Sequence, residues 1–278
     1  MSRTWFITGA SRGLGAAIAH AALVAGDNVV ISARRLDQLD QIVAQAPEQT
    51  IAVELDVTRE DQAVAAVEAA LTRFGRIDVL VNNAGYGQLA PFEENTPSDA
   101  ERQFATNVFG VFNLCRAVLP IMRNQRSGHI FNVSSVAGVV AMGGAALYCA
   151  SKFAVEGFSE SLAQEVSQFG ITVTLVEPGV FRTDFLDPSS AVFGANGLGD
   201  YATFTAKIRA GSAANNHRQT GDPAKLGEAL VQISNLETPP LRYVAGSDAY
   251  QAITSKLDKM KEQIEQWRDL SVSSDGVS

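Results

Sequence analysis

Tyr148 and Lys152 are the two side chains whose types and spacing point most directly to chemistry. They lie four residues apart in a stretch of helical composition, which places both side chains on one face of a helix. A free tyrosine has a pKa of about 10 and is a poor base at neutral pH. A nearby ammonium favours the phenolate and draws that pKa toward the working range. The pair therefore predicts acid–base catalysis, although the same spacing also occurs by chance in most proteins.

Other polar and small residues follow the predicted strands directly. They are Ser134 and Ser135 after residues 129–133, the run Asn-Asn-Ala-Gly at 82–85 after residues 79–81, and Pro178 and Gly179 after residues 172–176. The carboxyl ends of parallel strands meet at one edge of a sheet, and open α/β sheets bind their ligands there. We expect these residues to lie along one crevice.

The elements that position these residues alternate along the chain. Short runs rich in Val, Ile and Phe predict strands at 5–8, 28–32, 51–55, 79–81, 129–133, 172–176 and 241–245. Longer segments between them predict helices at 15–25, 36–46, 59–74, 99–123 and 151–169. Such alternation indicates βαβ units, and therefore an α/β fold with a seven-stranded parallel sheet and helices on both faces.

Residues 8–15 read Thr-Gly-Ala-Ser-Arg-Gly-Leu-Gly and join the first predicted strand to the first predicted helix. Glycine at such a turn lets the backbone approach a pyrophosphate, and the helix N-terminus supplies free N–H groups and a positive dipole. The spacing is G-x-x-x-G-x-G rather than the commoner G-x-G-x-x-G, but its place in a βαβ unit predicts dinucleotide binding.

The end of the second predicted strand indicates which dinucleotide. An acidic residue there would bond the ribose hydroxyls, whereas arginine suits a 2′-phosphate. The sequence has Arg34 at this point, with no carboxylate before Asp37, and Arg12 in the glycine loop adds a second cation. These residues favour NADP(H) over NAD(H).

The composition is that of an acidic globular chain. The 278 residues are 46% hydrophobic and carry 22 Lys and Arg against 30 Asp and Glu, and the net charge of −8 opposes a nucleic-acid partner. Two cysteines cannot form a disulfide framework, and we find neither a signal-peptide core nor about 18 uninterrupted apolar residues. We therefore expect a cytoplasmic protein without a membrane contact. Three scattered histidines lack the spacing of metal ligands, so we also expect no metal site.

Two regions fall outside the strand–helix alternation. Residues 184–220 have the composition of a loop, and a long loop inside a compact domain predicts a lid over the substrate. Residues 248–270 place apolar side chains three and four apart, which predicts an amphipathic helix. We expect this helix to pack on its own domain, with a contact between subunits as the alternative.

Together these motifs resemble the compact branch of the short-chain dehydrogenase/reductase family. In chain order over residues 4–245 the matching pieces are T-G-x-x-x-G-x-G at 8–15, Asp56-Val57, N-N-A-G at 82–85, Asn107, Ser135, Y-x-x-x-K at 148–152 and P-G-x-x-x-T at 178–183. The family spacing of thirteen residues between serine and tyrosine selects Ser135 over Ser134. Residues 245–249 and the charged helix after them also resemble a bacterial retinol- and hydroxysteroid-dehydrogenase-like subset. The resemblance implies one doubly wound Rossmann domain over residues 1–278.

The resemblance also implies a role for each matching residue. Tyr148 would be the general acid in carbonyl reduction and the base in alcohol oxidation. Ser135 would bond the carbonyl oxygen, and Asn107 would hold a relay water. Lys152 would hold the nicotinamide ribose and lower the pKa of Tyr148. The implied cofactor contacts are Gly9, Ser11, Arg12, Gly13, Leu14 and Gly15 in the glycine loop, Arg34, Asp56 and Val57 at the adenine, Asn83, Ala84 and Gly85 at the adenosine ribose, and Tyr148, Lys152, Pro178, Gly179, Val180 and Thr183 at the nicotinamide side. Val180 and Thr183 would bind the carboxamide.

The expected activity is an NADP(H)-dependent interconversion of a carbonyl compound and an alcohol. Aromatic residues at 185, 193, 201 and 204, and the absence of Lys between 184 and 204, favour an apolar substrate. The family usually forms homodimers or homotetramers through the helices at 99–123 and 151–169. A cofactor-binding sensor without catalysis and an epimerase or dehydratase are the alternatives; filled catalytic positions oppose the first, and the glycine spacing opposes the second.

Overall fold

Seven parallel strands form the central sheet of the computed structural model, which describes residues 2–194 and 197–276. The described residues form nine strands in all, two of them outside this sheet: β1 (Thr4–Ile7), β2 (Asn28–Ala33), β3 (Thr50–Glu54), β4 (Val79–Asn82), β5 (Gly87–Gln88), β6 (Gly128–Val133), β7 (Ile171–Pro178), β8 (Ala191–Val192) and β9 (Arg242–Ala245). The order in the sheet is β3-β2-β1-β4-β6-β7-β9, and β5 pairs separately with β8. All seven strands predicted from the sequence are confirmed within two residues at each end.

Helices cover both faces of this sheet. They are α1 (Gly13–Val24), α2 (Asp40–Gln45), α3 (Glu60–Phe74), α4 (Pro97–Phe104), α5 (Gly110–Gln125), α6 (Ala146–Val166), α7 (Ala202–Asn215), α8 (Pro223–Ser234), α9 (Ser247–Gln266) and α10 (Arg268–Val272). Because side chains alternate along a strand, Phe6 packs with α3, α5 and α6, while Trp5 and Ile7 pack with α1 and α8 on the opposite face. The single doubly wound α/β fold is confirmed.

The predicted helix at 99–123 is present but differs in one respect. It is a continuous helical stretch from Pro97 to Gln125 that contains a π-helical segment, Ala105–Phe109, between α4 and α5. By length and composition alone this stretch could cross a membrane, a test that a buried core helix also passes. Its residues Leu114, Val118 and Met122 are fully buried against the sheet, as expected of a core helix.

Three other helix predictions need correction. Residues 36–46 form a 3₁₀ turn, Leu36–Gln38, and then the short α2, rather than one helix. The helix predicted at 151–169 already begins at Ala146, so Tyr148 lies in its first turn. Helix α8 was not predicted from the sequence, although Asp222 caps its N-terminus by accepting a hydrogen bond from Ala224 N, and proline occupies its first position.

The lid segment, which we define as residues 184–220, is not a simple loop. It contains β8 and the 14-residue helix α7 in addition to a 3₁₀ turn at Asp184–Leu186, and its residues 195 and 196 lie outside the described part of the chain. Glu94 anchors it to the body by accepting hydrogen bonds from Leu198 N at 3.2 Å and Thr205 Oγ1 at 2.9 Å. The segment therefore has its own secondary structure and a fixed docking point.

The predicted C-terminal helix is present as α9 and α10, but most of it does not pack on the domain. Only Ala249 and Ile253 are buried, in its first two turns. The apolar stripe expected to pack inward is exposed beyond them, with Leu257 at 53% and Ile264 at 68% exposure. The expectation of intradomain packing is therefore wrong for the greater part of this helix.

Candidate active site

The glycine loop between β1 and α1 has the backbone geometry that its sequence predicts. Gly9 and Gly13 have φ values of 64° and 57°, which L-residues with a side chain rarely adopt. A Cβ at Gly15 would lie 2.4 Å from the carbonyl oxygen of Gly9 and 2.6 Å from Nδ2 of Asn83. Each of the three glycines is thus required by conformation or by close packing.

The side chain of Thr8 joins this loop to the end of β4. Its Oγ1 accepts hydrogen bonds from Asn83 N at 2.9 Å and Ala84 N at 3.0 Å, and donates to Val81 O at 3.3 Å. In return, Nδ2 of Asn83 donates to the carbonyls of Thr8 and Gly9. These bonds of Thr8 and Asn83 were not predicted from the sequence, although both residues belong to the motifs at 8–15 and 82–85.

A cavity of about 1410 Å³ lies along the carboxyl edge of the sheet. Every site residue predicted from the sequence lines it, except Gly15 and Asn107. The predicted residues come from the ends of β1, β2, β3, β4, β6 and β7 and from α6, so the fold brings together residues more than 170 positions apart. This is the crevice that the strand-end residues predict.

Tyr148, Lys152 and Ser135 lie together at one end of this cavity. The ammonium Nζ of Lys152 lies 5.9 Å from the centre of the Tyr148 ring and donates to Val133 O at 2.8 Å. Ser135 Oγ accepts a hydrogen bond from Ala137 N at 3.1 Å, which fixes its side chain at the turn after β6. Tyr148 and Lys152 are both buried, so their proton affinities depend on their protein neighbours.

Burial changes the pKa values of both groups. It raises the pKa of Tyr148 to about 12, against the effect of the neighbouring Ser135 hydroxyl, which favours the phenolate. It lowers the pKa of Lys152 to about 8, against the effect of the Glu156 carboxylate. At neutral pH the tyrosine is therefore a phenol and the lysine mainly an ammonium, which is the state that donates a proton.

Asn107 lies in the π-helical segment and does not line the cavity. Its Oδ1 accepts from Tyr86 N at 3.1 Å, and its Nδ2 donates to Tyr86 O at 3.0 Å and Ser151 Oγ at 3.2 Å. A Cβ at Gly85 would meet both Asn107 Oδ1, at 3.2 Å, and Lys152 Nζ, at 3.8 Å. Asn107 is thus near the lysine, as predicted, while its observed bonds fix the backbone of Tyr86 and the first turns of α6.

The two arginines predicted to hold one phosphate have different surroundings. Arg34 is exposed and lines the cavity, whereas its neighbour Arg35 pairs with Asp37 at 2.6 Å. The guanidinium of Arg12 instead donates to the hydroxyls of Ser189 at 2.6 Å and Ser190 at 2.7 Å, in the lid segment. In this structure Arg12 joins the glycine loop to the lid, and its contact with the phosphate expected at Arg34 stays a prediction.

Val180 bonds a residue of the C-terminal helix. Its backbone N–H donates to Oδ2 of Asp248 at 2.8 Å, while its contact with the carboxamide stays a prediction. Asp248, in the first turn of α9, was not identified from the sequence. Thr183 lies beside the glycine loop, because a Cβ at Gly13 would be 3.4 Å from Thr183 Cβ. The P-G-x-x-x-T run therefore contacts α9 at one end and the glycine loop at the other.

The lid contributes a different set of side chains from those expected. Of its four aromatic residues only Phe185 lines the cavity, with its ring centre 5.6 Å from that of Tyr148. The other cavity-lining apolar residues include Leu89, Met142 and Ile208, and Lys207 of α7 adds an ammonium. The cavity is thus mainly apolar but not free of positive charge.

The lid also brings together Asp184, Asp187 and His217, whose potential ligand atoms lie within 4.8 Å of one another. His217 Nε2 lies 3.3 Å from Asp187 Oδ1, so the contact joins the two ends of the lid segment. Sequence spacing could not predict this cluster, because His217 lies 30 residues after Asp187.

The match to known proteins agrees with this geometry. Residues 3–191 match the family model for short chain dehydrogenases. The chain belongs to the short-chain dehydrogenase family. It is 40% identical to Oxidoreductase BOA17 of Botryotinia fuckeliana over 99% of this chain and 100% of the relative, and 39% identical to 3-ketodihydrosphingosine reductase of Bacteroides thetaiotaomicron over 86% of each.

Solved structures of short-chain dehydrogenases have the same fold. One from Streptomyces avermitilis is 40% identical, with a TM-score of 0.90 over 99% of both chains. A metagenomic short-chain oxidoreductase in complex with NADP is 26% identical, with a TM-score of 0.70 over 88% of this chain and 97% of that one. A 3-ketoacyl-(acyl-carrier-protein) reductase from Brucella melitensis complexed with NADH is 27% identical, with a TM-score of 0.73 over 87% and 95%. This short-chain dehydrogenase is therefore an oxidoreductase whose structural neighbours hold either dinucleotide.

Gly15→Ala tests the packing of the glycine loop. The new Cβ would lie 2.4 Å from Gly9 O, so the loop must shift away from the position that cradles a phosphate. We expect the dissociation constant for NADPH, measured by isothermal titration calorimetry, to rise about tenfold or more, which is about 1.4 kcal/mol or more.

Gly157→Ala is the matched control. Gly157 lies on α6, and a Cβ there would meet no neighbouring atom within 4 Å. We expect it to bind NADPH as the unmodified protein does. Equal affinities for both variants would show that Gly15 is not needed for the cradle.

Proposed function

We propose that this protein is an NADP(H)-dependent carbonyl reductase or alcohol dehydrogenase in which Tyr148 is the general acid and base. The observation that carries the proposal is the placement of Tyr148, Lys152 and Ser135 at one end of a cavity whose other parts are the glycine loop and Arg34. A panel of ketones, aldehydes and secondary alcohols, assayed with NADPH and NADH side by side, tests it directly.

The residues around the cavity fit a dinucleotide. Gly9 and Gly13 open the loop by their positive φ values, and the N-terminus of α1 directs free N–H groups toward the space beside them. Asp56 and Val57 line the part of the cavity that would hold the adenine. When bound, the nicotinamide group supplies the hydride chemistry. The protein's own contribution is position and proton transfer.

Tyr148 and its neighbours supply that proton transfer. In reduction the phenol donates its proton to the carbonyl oxygen as negative charge develops there, and in oxidation the phenolate accepts the alcohol proton. The Ser135 hydroxyl, held by Ala137 N, is placed to donate a hydrogen bond to the same oxygen. The Lys152 ammonium, 5.9 Å from the centre of the Tyr148 ring, favours the phenolate by its charge, while burial keeps the pKa of Tyr148 above its ordinary value.

Arg34 supports NADP(H) rather than NAD(H). Its guanidinium lines the cavity at the end of β2, where a 2′-phosphate would lie, and Arg is suited to bind phosphate oxygens with two donors. Asp37 also lines the cavity, but its carboxylate is paired with Arg35. The positive group is therefore the one available to the ribose.

The cavity supports a mainly apolar substrate. Leu89, Met142, Phe185 and Ile208 line the region near Tyr148, and burial of such side chains against an apolar ligand is favourable. The related 3-ketodihydrosphingosine reductase is named for the reduction of a keto compound, which supports a carbonyl substrate. The ammonium of Lys207 would bind one acidic or polar group on the substrate.

We propose a homo-oligomer in the cytoplasm as the working form. Exposed apolar side chains on the π-helical segment, α6 and α9, among them Phe109, Phe153 and Leu257, support an assembly. Cys115 and Cys149 are both free thiols, as expected in a reducing compartment.

Tyr148→Phe removes the acid–base hydroxyl and leaves the ring in place. We expect turnover of any active carbonyl substrate to fall below about 1% of the original, within the range that general acid–base groups contribute, while NADPH binding is largely retained. Tyr201→Phe is the control, because that hydroxyl donates to the exposed carboxylate of Glu93 and the residue does not line the cavity. More than a few per cent residual activity in Tyr148→Phe would contradict the mechanism.

Arg34→Asp reverses the charge where the 2′-phosphate is expected. We expect the ratio of kcat/KM for NADPH over NADH to fall at least about tenfold, since a carboxylate repels the phosphate and can bond the ribose hydroxyls. Arg35→Asp makes the same charge change one residue along, outside the cavity lining, and we expect a much smaller effect. An NADPH preference that survives Arg34→Asp would refute the assignment.

The exposed stripe of α9 tests the oligomer. Leu257→Glu combined with Ile264→Glu places two charges on the apolar stripe, and we expect the mass in solution, measured by light scattering, to fall toward the 29.5 kDa of one chain. Gln251→Glu combined with Gln266→Glu adds the same charge to the opposite side of the helix and should leave the mass unchanged. A monomeric unmodified protein, or equal masses for all three, would contradict the assembly.

A further inference from the structure

A row of polar side chains continues along α6 from the catalytic pair. Tyr148, Lys152, Glu156 and Glu160 follow one another at intervals of four residues, so all four lie on one face of the helix. The first two line the cavity, and the third is buried with only 7% of its side chain exposed. The helix thus connects the acid–base pair with a buried carboxylate one turn away.

Arg242, the first residue of β9, holds that carboxylate. Its Nη1 lies 2.6 Å from Glu156 Oε2 and also bonds Glu177 Oε1, while its Nη2 bonds Glu160. The side chain of Glu177 is 1% exposed, whereas that of Glu160 is about half exposed. One guanidinium therefore serves two buried carboxylates.

The second oxygen of Glu156 faces the turn that carries Ser135. Glu156 Oε1 and Ser134 Oγ are both buried, and within the described part of the chain neither atom forms a hydrogen bond of normal geometry. A Cβ at Gly138 would lie 2.9 Å from the first atom and 2.5 Å from the second, so both face the space that this glycine leaves open. Ser134 in turn follows Val133, whose carbonyl binds Lys152 Nζ.

The two buried carboxylates of this region share one guanidinium. Glu156 and Glu177 both bind Arg242, which also binds the half-exposed Glu160. Lys152 is a buried cation one helical turn from Glu156. Buried charges are tolerated when opposite charges compensate them, and the carboxylate of Glu156 favours the charged form of Lys152.

We propose that Glu156 is a positioning residue that keeps Lys152 charged beside Tyr148, with Arg242 holding its carboxylate in place. The proposal rests on the proposed function only for its effect on turnover, because the charge on Lys152 is a property of the protein itself.

The ionisation of both groups agrees with this arrangement. Burial lowers the pKa of Lys152 to about 8 and Glu156 acts in the opposite direction. Burial raises the pKa of Glu156, and Ser134 and Arg242 act against that effect while Glu177 adds to it. The other titratable group facing Lys152 is Tyr148 of the same helix; Asn107 from the π-helical segment and the Val133 carbonyl from β6 are uncharged.

Glu156→Gln removes the charge and keeps the shape. We expect the pH midpoint for acetylation of Lys152 by acetic anhydride, followed by mass spectrometry of the Lys152 peptide, to move down by about one unit, since loss of a nearby opposite charge lowers the pKa of an ammonium. The alkaline limb of kcat/KM for carbonyl reduction should move in the same direction by the same amount. A merely structural role would alter stability without moving either midpoint.

Glu160→Gln is the matched control. It removes a carboxylate from the same helix face that contacts the same Arg242, but one turn farther from Lys152, and we expect no change in the Lys152 midpoint. Glu156→Asp retains the charge, so its Lys152 midpoint should lie close to that of the unmodified protein. An unchanged midpoint in Glu156→Gln, or an equal shift in Glu160→Gln, would overturn the proposal.

A folding defect would not leave the question open. If Glu156→Gln does not fold, Glu156→Met removes the same charge with an apolar side chain of similar length, while Arg242 keeps its bonds to Glu177 and Glu160. The same midpoint shift is expected in that variant, and its absence would count equally against the proposal. Labelling is performed on the protein without substrate, so it stands even if no carbonyl compound is reduced, whereas the Tyr148→Phe comparison tests the reaction alone.

Discussion

The hydroxyl of Thr8 joins the two strands between which the site opens. β1 and β4 are neighbours at the point where the order of the sheet reverses, so the chain leaves them toward different parts of the molecule. One oxygen atom accepts from the amides of Asn83 and Ala84 and donates to Val81 O, which fixes the glycine loop against the run at 82–85. Without these bonds the glycine loop would be free to move relative to the residues that follow β4.

The sequence predicts the parts of the site that depend on local pattern. Strand ends follow from apolar runs, and the glycine loop follows from its place between a strand and a helix. The π-helical segment Ala105–Phe109 has no such signal, because one wide turn hardly disturbs the apolar period of a long helix. Yet that turn is where Asn107 meets Tyr86 and Ser151. The sequence motif identifies Asn107, and only the structure shows how its side chain is held.

The lid shows the opposite limit, where side-chain direction decides function. α7 has few large apolar residues and a central Gly211, so its composition resembles a loop. Its Phe204 and Ile208, four residues apart, pack against the loop at Gly143 and Gly144, and this tertiary contact supports the helix. Arg12 likewise lies in a loop from which it can face a cofactor phosphate or the lid. Its bonds to Ser189 and Ser190 show the second direction, which spacing in the sequence cannot distinguish.

The buried charges behind α6 are difficult to explain by stability alone. Burying a carboxylate costs several kcal/mol unless good geometry repays it, and apolar residues of similar size often stabilise a core at least as well. Glu156 and Glu177 nevertheless lie in the interior, joined by Arg242 to the edge of the sheet. A catalytic lysine in the same interior has the same difficulty, because burial lowers its pKa. Placing an anion one turn along the helix that carries both Tyr148 and Lys152 lets a rigid element fix the distance between charge and counter-charge. The cost of burying these groups then has a physical counterpart, since the carboxylate of Glu156 opposes the effect of burial on the pKa of Lys152.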